Sequence, residues 1–536
     1  MNGKGKIACA IIIAALTTAG CGAKEPRADY TFENGTDVQT LDPALMTGQP
    51  EGRIASSIFE GLTSRSATAA EILPGVARSW DISEDGFRYT FHLRDCAWSD
   101  GTPITARDFL YSWKRTLDPA TGGTYYAYML FYVRGAEEFN SGRIADFSKV
   151  GVKAVDDKTL EVELKQPTPF FLYITSFQTL MPVKRDCIEE HGDLWTRPGN
   201  IVSNGPFLLR EWSPSVRIRL VKNPFYWDRD NVKLNVVDVL PTENENTAFD
   251  IYIAGQADWV DAAGIPWHLI DILKTRPDFH TYTALLTYFY RFNVTRHPFT
   301  DMRVRKALNL AVDKKRIVDK IFHAIHHPAT VLVPPVMPHY TSPPGLPYNP
   351  KEAARLLAEA GYPGGRGFPR VSILFNTMEA HKQIATEIQA MWKENLGIHV
   401  DLDNQEWGTY LNTESRLDYF ISRGGWIADY PDPNTFLDMF VTNGGNNKTG
   451  WSSPRYDSLI AEAGSERDQG KRMEIFREAE KILVVDEMPI MPIYFNVMIN
   501  LYDGDRIGGI YPNPLDDHPL KYIFIKQEPA PRFSHS

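Results

Sequence analysis

The sequence lacks the motifs by which most enzymes are recognised. It contains no G-x-S-x-G, no H-E-x-x-H, no glycine-rich phosphate loop followed by Lys-Ser or Lys-Thr, and no dinucleotide-binding fingerprint. No pattern therefore supplies a nucleophile, a catalytic metal or a phosphate cradle. We expect a protein that is not an enzyme and that needs no cofactor.

Long apolar runs and basic clusters are equally scarce. After the N-terminal segment no stretch approaches eighteen unbroken apolar residues, so no membrane-spanning helix is expected. The formal net charge is −10 and there is no basic run, which argues against a nucleic-acid partner. A chain of 536 residues exceeds one hydrophobic core, so we expect two or three domains.

Two local patterns could hold a ligand, and each has a simpler interpretation. His326 and His327 are adjacent, so their side chains diverge unless the backbone bends, and a solvated loop pair is favoured over a metal site. Gly364 and Gly365 follow Pro363, which is typical of a turn-rich loop rather than a phosphate loop.

The N-terminus has the order of a secretory signal. Lys4 and Lys6 precede an apolar run over 7–16, which is too short to span a bilayer, and small residues follow it. We predict a signal peptide over 1–20.

The end of this segment resembles a bacterial lipobox, at Ala19-Gly20-Cys21. That resemblance implies that Cys21 is lipidated and begins the mature chain, with a linker over 21–28. Ordinary cleavage near Ala23 is the alternative.

Only two cysteines then remain, Cys96 and Cys187. Thiols outside the cytoplasm can form a disulfide, and neither residue belongs to a C-x-x-C pattern. Whether the two pair is open.

The mature chain mixes two hydrophobic periods. Strict alternation predicts strands over 87–94, 160–164 and 216–220. Thr105 and Asp108 form a capping-box pattern at the start of a helix. Further helical patterns occur over 304–311, 349–361 and 473–483. The fold class is therefore α/β, without internal repeats.

Several segments together resemble the family 5 extracellular solute-binding proteins, the peptide, opine and nickel receptors of bacterial ABC importers. They follow family order across nearly the whole mature chain: Glu60-Gly61-Leu62, Pro74-Gly75-Val76-Ala77-Arg78-Ser79-Trp80, Trp98-Ser99-Asp100-Gly101-Thr102-Pro103, Asn204-Gly205-Pro206-Phe207, Asn223-Pro224-Phe225-Tyr226-Trp227 and Arg303-Val304-Arg305-Lys306-Ala307-Leu308.

The C-terminal half is similar to the oligopeptide-binding branch, at Asn404-Gln405-Glu406-Trp407 and Arg423-Gly424-Gly425-Trp426-Ile427-Ala428-Asp429-Tyr430. The resemblance implies that Asp429 binds the α-ammonium group of a peptide. A capping or surface aspartate is the alternative. A charge enclosed between domains needs a partner, and a fixed carboxylate supplies a charge-assisted hydrogen bond.

The same resemblance implies further peptide-binding residues. Gly425 and Ile427 would bond an extended peptide through their backbones, and Trp407 and Trp426 would line side-chain pockets unless they are core tryptophans. Arg423 and His381 would meet the peptide carboxylate, with a structural salt bridge as the alternative for the arginine. Tyr125 or Tyr128 would be the pocket tyrosine that the family places on the smaller domain, and the choice between them stays open. Gln49 lies in the family's ligand-touching turn over 47–51, at a position that is often small and apolar in the peptide branch.

The implied fold is a two-lobed periplasmic-binding-protein-like fold of class II, cluster C type, with an extra domain, mixed sheets and hinge crossovers. Lobe I would combine 29–59, 193–282 and 498–527, the smaller additional domain would be 60–192, and lobe II 283–497, with a flexible tail over 528–536. The implied partners are short peptides and an ABC permease with its ATPase subunits.

The implied protein is a monomer in the periplasm or on the cell surface. Two alternatives stay open. One is a receptor for another solute, such as a murein peptide, an opine or a metal chelate, and the other, more remote, is a secreted peptidase.

Overall fold

The structure is a computed structural model that describes residues 27–46, 48–69, 71–122 and 127–526. The predicted signal, Cys21 and Tyr125 lie outside the described residues. Within the described chain no helix is both long and apolar enough to cross a membrane.

The described chain forms nineteen strands. They are β1 Tyr30–Glu33, β2 Thr63–Arg65, β3 Ile72–Pro74, β4 Ala77–Ile82, β5 Arg88–Leu93, β6 Val152–Asp156, β7 Thr159–Glu163, β8 Phe207–Ser213, β9 Arg217–Lys222, β10 Val236–Leu240, β11 Trp259–Asp261, β12 Phe279–Phe292, β13 His327–Pro328, β14 Val371–Asn376, β15 Val400–Gln405, β16 Ile421–Ile427, β17 Ile490–Tyr502, β18 Ile507–Gly508 and β19 Phe524–Ile525.

Fifteen α-helices accompany the strands in the described chain. They are α1 Gln49–Ile58, α2 Ala106–Leu117, α3 Ala136–Asn140, α4 Phe171–Ile174, α5 Arg185–His191, α6 Glu245–Ile253, α7 Ile270–Leu273, α8 Met302–Leu310, α9 Lys314–Phe322, α10 Pro350–Glu359, α11 Glu379–Leu396, α12 Trp407–Ser415, α13 Asn434–Leu437, α14 Pro454–Ser465 and α15 Gln469–Lys481.

Local sequence signals explain several of these elements. Thr105 and Asp108 exchange the two hydrogen bonds of a capping box at the start of α2, which buries Phe109 and Trp113. The Asn349 side chain accepts from the backbone of Glu352 and caps α10. The helix predictions at these positions are confirmed.

One large sheet runs through most of the molecule, in the order β15-β14-β16-β12-β17-β11-β1-β10-β9-β8, and β13 adds to β17. Its two longest strands, β12 and β17, are antiparallel neighbours, and their register shifts between Thr283 and Thr287. β16 pairs with one side of β12, and β11 pairs with the far end of β17. These two strands therefore connect the two halves of the sheet.

A separate four-stranded sheet, β4-β5-β7-β6, lies in the segment predicted to form the smaller domain. Its buried face packs with α2 and α4 in a core of its own. Tyr430, from the opposite end of the chain, is buried in this same core. The smaller domain is thus fastened to the loop that contains Asp429, while the exact domain boundaries stay a prediction.

Two sequence expectations are wrong. His326 is not solvated: it is 4% exposed, it stacks on Tyr494, and burial lowers its pKa to about 3. In the third predicted strand the alternation fails, because Val216 is exposed outside β9 while Arg219 is buried against Asp238. Hydrophobic periodicity misses a residue such as Arg219, because a charged side chain can be buried when it forms an ion pair inside the protein.

The two cysteines of the described chain, Cys96 and Cys187, are both free. The Sγ atom of Cys187 donates to the carbonyl of Asn200 at 3.2 Å. In the structure, therefore, Cys96 and Cys187 do not form a disulfide.

Candidate ligand-binding cleft

The candidate site is built on β16 and the loop that follows it. β16 pairs with β12 along its whole length, from Ile421 to Ile427. On its other side β14 pairs only with Ile421 and Ser422. From Arg423 onward, no described strand covers this edge of β16.

The direction of the backbone groups on that edge follows from one hydrogen bond. Ala428 donates its backbone N–H to the carbonyl of Leu285 in the middle of β12. Because successive residues of a strand point their N–H and C=O groups to opposite sides, Ile427 and Gly425 direct theirs away from β12. The two residues predicted to bond a peptide backbone therefore present these groups at the uncovered edge.

Asp429 lies at the end of this edge. Its backbone N–H donates to Thr435 Oγ1 at 3.2 Å, and its carbonyl accepts from Arg65 at 3.1 Å. Its carboxylate Oδ2 accepts from the Tyr128 hydroxyl at 3.1 Å. The Asp429 side chain is thus held between lobe II and the smaller domain.

Removal from water dominates the electrostatics of Asp429. Burial raises its pKa to about 7, although the hydrogen bond from Tyr128 and the charge of Arg65 both favour the ionised form. In the described chain the Asp429 carboxylate forms no salt bridge. A partly buried carboxylate without a counter-ion is suited to receive a cation.

Arg423 and His381 come together around Tyr288. The Arg423 guanidinium lies over the Tyr288 ring, 5.2 Å from its centroid, and His381 Nδ1 lies 3.2 Å from the Tyr288 hydroxyl. Burial and then the charge of Arg423 lower the pKa of His381 to about 3, so this histidine is neutral at pH 7. No carboxylate of the described chain pairs with Arg423, and its buried Nε has no hydrogen-bond partner.

The two candidate pocket tryptophans, Trp407 and Trp426, differ in their exposure to solvent. Trp407 begins α12, is 51% exposed and stacks on Tyr410, with 5.6 Å between the ring centroids. Trp426 is partly buried against the core of lobe II, and its Nε1 donates to Thr435 at 3.3 Å. Trp407 therefore has a free face, whereas Trp426 supports the loop of Asp429 from behind.

Gln49 begins α1 on the lobe I side. Its amide donates to Asp516 Oδ2 at 2.8 Å. Pro514 lies two residues before Asp516, and its carbonyl accepts a hydrogen bond from the backbone N–H of Leu285. The carbonyl of Leu285 in turn accepts from the backbone N–H of Ala428. Gln49 is thus linked to the Asp429 loop by a short series of hydrogen bonds.

Asp516 is the centre of a buried polar cluster between lobe I and the two long strands. Its carboxylate contacts Arg53, Tyr282 and His518 as well as Gln49. Burial alone would raise the pKa of Asp516, but the hydrogen bond and charge of His518 and the charge of Arg53 hold it at about 2. A charged Asp516 therefore ties β12 to α1.

Sequence reasoning missed the residues that join the smaller domain to lobe II. Phe170 stacks on Tyr430, with ring centroids 4.3 Å apart and an angle of 5°. The Tyr132 hydroxyl lies 3.3 Å from that of Tyr430 and donates to Asp438 at 3.1 Å. No motif marks these pairs, because their members lie far apart in the sequence: Tyr132 is 298 positions from Tyr430 and 306 from Asp438.

Two long strands that connect the two halves of one sheet are the arrangement of a two-lobed solute-binding protein. Residues 71–448 match the model of the bacterial extracellular solute-binding proteins, family 5. The chain belongs to this family.

Individual relatives match nearly the whole chain. The periplasmic oligopeptide-binding protein OppA of Escherichia coli is 38% identical over 502 residues, covering 92% of this chain and 91% of the relative. The murein tripeptide-binding protein MppA of Escherichia coli superposes with a TM-score of 0.82 at 33% identity, over 94% of this chain and 99% of MppA. Haemophilus influenzae OppA in complex with RPPGFSPFR superposes with a TM-score of 0.80 at 33% identity. The match covers 92% of this chain and 98% of that protein.

Proposed function

We propose that this protein captures short peptides in the cleft between its lobes and delivers them to an ABC importer without altering them. The observation that carries the proposal is the uncovered edge of β16, which ends at Asp429. An extended peptide added to that edge would bond through its main chain, which is the same in every peptide. Its amino terminus would then lie beside a carboxylate that has no counter-ion.

The other end of the peptide has a complementary group. Arg423 is two residues before Gly425, and its guanidinium presents a planar fork of donors that suits a carboxylate. His381 is neutral and lies next to it, so it adds a polar contact without a second charge. This arrangement supports recognition of both peptide termini. Trp407 and Ile427 are both exposed and would lie beside the side chains of the peptide.

Capture would couple to lobe closure. A peptide that contacts β16 on one side and the Gln49 turn on the other gains its full binding energy only when both lobes reach it, so it favours the closed state. We further propose that residues 1–20 direct export, that Cys21 carries a lipid anchor, and that the monomer acts in the periplasm or on the cell surface.

Calorimetric titration with a free tripeptide and with its N-acetylated form tests the amine site. We expect tight binding of the free peptide only. Asp429→Asn should weaken it roughly 10- to 150-fold, as expected for loss of a charge-assisted hydrogen bond worth about 1.5–3 kcal/mol. Asp418→Asn, which removes an exposed charge from the same lobe, is the matched control.

Equal binding of the acetylated peptide, or an Asp429→Asn variant within twofold of wild type, would refute the assignment. Mass spectrometry of the incubated peptide distinguishes a receptor, which returns it intact, from a peptidase. A murein tripeptide belongs in the ligand panel, because one structural neighbour is a murein tripeptide-binding protein.

A further inference from the structure

A second carboxylate, that of Asp438, lies close to the proposed amine site. Asp438 follows α13, and its Oδ2 accepts from the Tyr132 hydroxyl at 3.1 Å and from the Asn434 amide at 2.9 Å. Tyr132 stands four residues after Tyr128, which donates to Asp429. Two tyrosines of the smaller domain therefore each hold one acid of the same lobe II loop.

Neither acid has a cation of its own in the described chain. Arg472 is engaged in a two-point ion pair with Asp432, at 2.6 and 2.8 Å. Arg65 contacts the Asp429 carbonyl and pairs with Asp517 at 3.6 Å. Lys165 lies over the Tyr132 ring, 6.0 Å from its centroid, and pairs with Glu137.

The remaining groups that face Asp438 are neutral or negative. They are the hydroxyls of Tyr132, Tyr430 and Tyr456, the amide of Asn434 and the carboxylates of Asp429 and Asp432. Burial, together with the charge of Asp429, raises the pKa of Asp438 to about 7 against the lowering effect of the Tyr132 hydrogen bond. Ionising both acids without a counter-ion costs free energy, because the two like charges repel each other away from water. In the empty site, protons are therefore bound to these carboxylates.

We propose that Asp438 is a positioning residue of the amine site: it makes the site a two-carboxylate site, in which arrival of a cationic amino terminus displaces protons from both acids. This inference rests on the proposed function. Asp438 reaches the ligand through the field of its charge and through Tyr132 and Tyr430, not by direct contact. The consequence is that acidification releases the peptide more steeply than a single carboxylate could.

The direction in which affinity changes with pH follows from the linkage between proton binding and peptide binding. Both acids must be ionised to hold the ammonium, so affinity is full above their pKa values and falls as the pH drops below them. One required proton loss changes the binding constant by up to about tenfold per pH unit, and two change it by up to about a hundredfold.

The test is calorimetry on the full-length protein with a free tripeptide between pH 5 and 8, in buffers of different ionisation enthalpy. For wild type we expect more than one proton released per peptide near pH 6 and a slope steeper than tenfold per pH unit. Asp438→Asn should release at most one proton, lose the steeper slope and bind at least about tenfold more weakly than wild type at pH 8, because its side chain is neutral just as a protonated Asp438 is. Asp418→Asn should behave as wild type does.

Tyr132→Phe provides a second variant that keeps both acids. Loss of its hydrogen bond to Asp438 should move the midpoint of the affinity profile to higher pH. If Asp438→Asn and Tyr132→Phe keep the proton release, slope and midpoint of wild type, Asp438 has no such role, whatever the fate of Asp429. Retention of affinity by Asp429→Asn would instead overturn the proposed function itself.

Discussion

The Asp516 cluster predicts a specific acid sensitivity of the fold. Asp516 is 5% exposed, and its pKa falls from an ordinary 3.8 to about 2. Since one pKa unit is worth about 1.4 kcal/mol, folding gains about 2.5 kcal/mol from the ionised Asp516. Because the folded pKa is the lower one, this stabilisation is present above pH 4 and is lost between pH 4 and pH 2.

The assay is urea unfolding of wild type and Asp516→Asn from pH 2 to pH 7. Near neutral pH the variant should be less stable by about 3–5 kcal/mol, because Arg53 and Tyr282 lose a charged partner in a buried cluster. That difference should shrink by about 2.5 kcal/mol as the pH falls to 2. Asp418→Asn, with a carboxylate whose side chain is 72% exposed, controls for the change in net charge.

A stability difference between wild type and Asp516→Asn that is constant with pH would refute this reasoning. It would mean that Asp516 has the same affinity for protons in the folded and unfolded chain. The ion pairs seen around it would then contribute packing but no net charge stabilisation.

Two further predictions concern β16. Arg423→Gln should weaken binding of a free tripeptide by roughly 10- to 150-fold and leave a C-terminally amidated peptide unchanged, as calorimetry would measure; equal losses for both peptides would contradict a carboxylate contact. Gly424→Ala should lower the free energy of unfolding by about 1–3 kcal/mol, because the added Cβ would lie 2.6 Å from Arg291 Nη1. Gly425→Ala is its matched control, with no contact shorter than 3.5 Å, and equal unfolding midpoints for the two variants would contradict the packing argument.

The ends of several helices and strands were readable from local patterns in the sequence, whereas the two-lobed fold and the peptide-binding residues were implied by the family resemblance. Capping residues and alternation set the ends of α2, α10 and β5, because these signals act within a few residues. The family resemblance indicated Asp429 and Gly425 through one short motif. The backbone geometry at β16 agrees with such a role, although contact with a peptide stays a proposal.

What the sequence did not reveal depends on long-range pairing. Asp438 looks like any exposed acid until folding brings Tyr132 to it from 306 positions away. Arg219 and His326 were misjudged for a related reason: whether a polar residue is buried depends on partners that no local window contains.

The uncovered edge of β16 also exposes the empty protein to unwanted association. A row of unpaired backbone groups is a template for any extended segment, including one from a second molecule. Two adjacent glycines, Gly424 and Gly425, have little tendency to extend a sheet, and the charge of Arg423 beside them repels a like copy. We therefore expect these two features to oppose the pairing of β16 with a second copy of the chain.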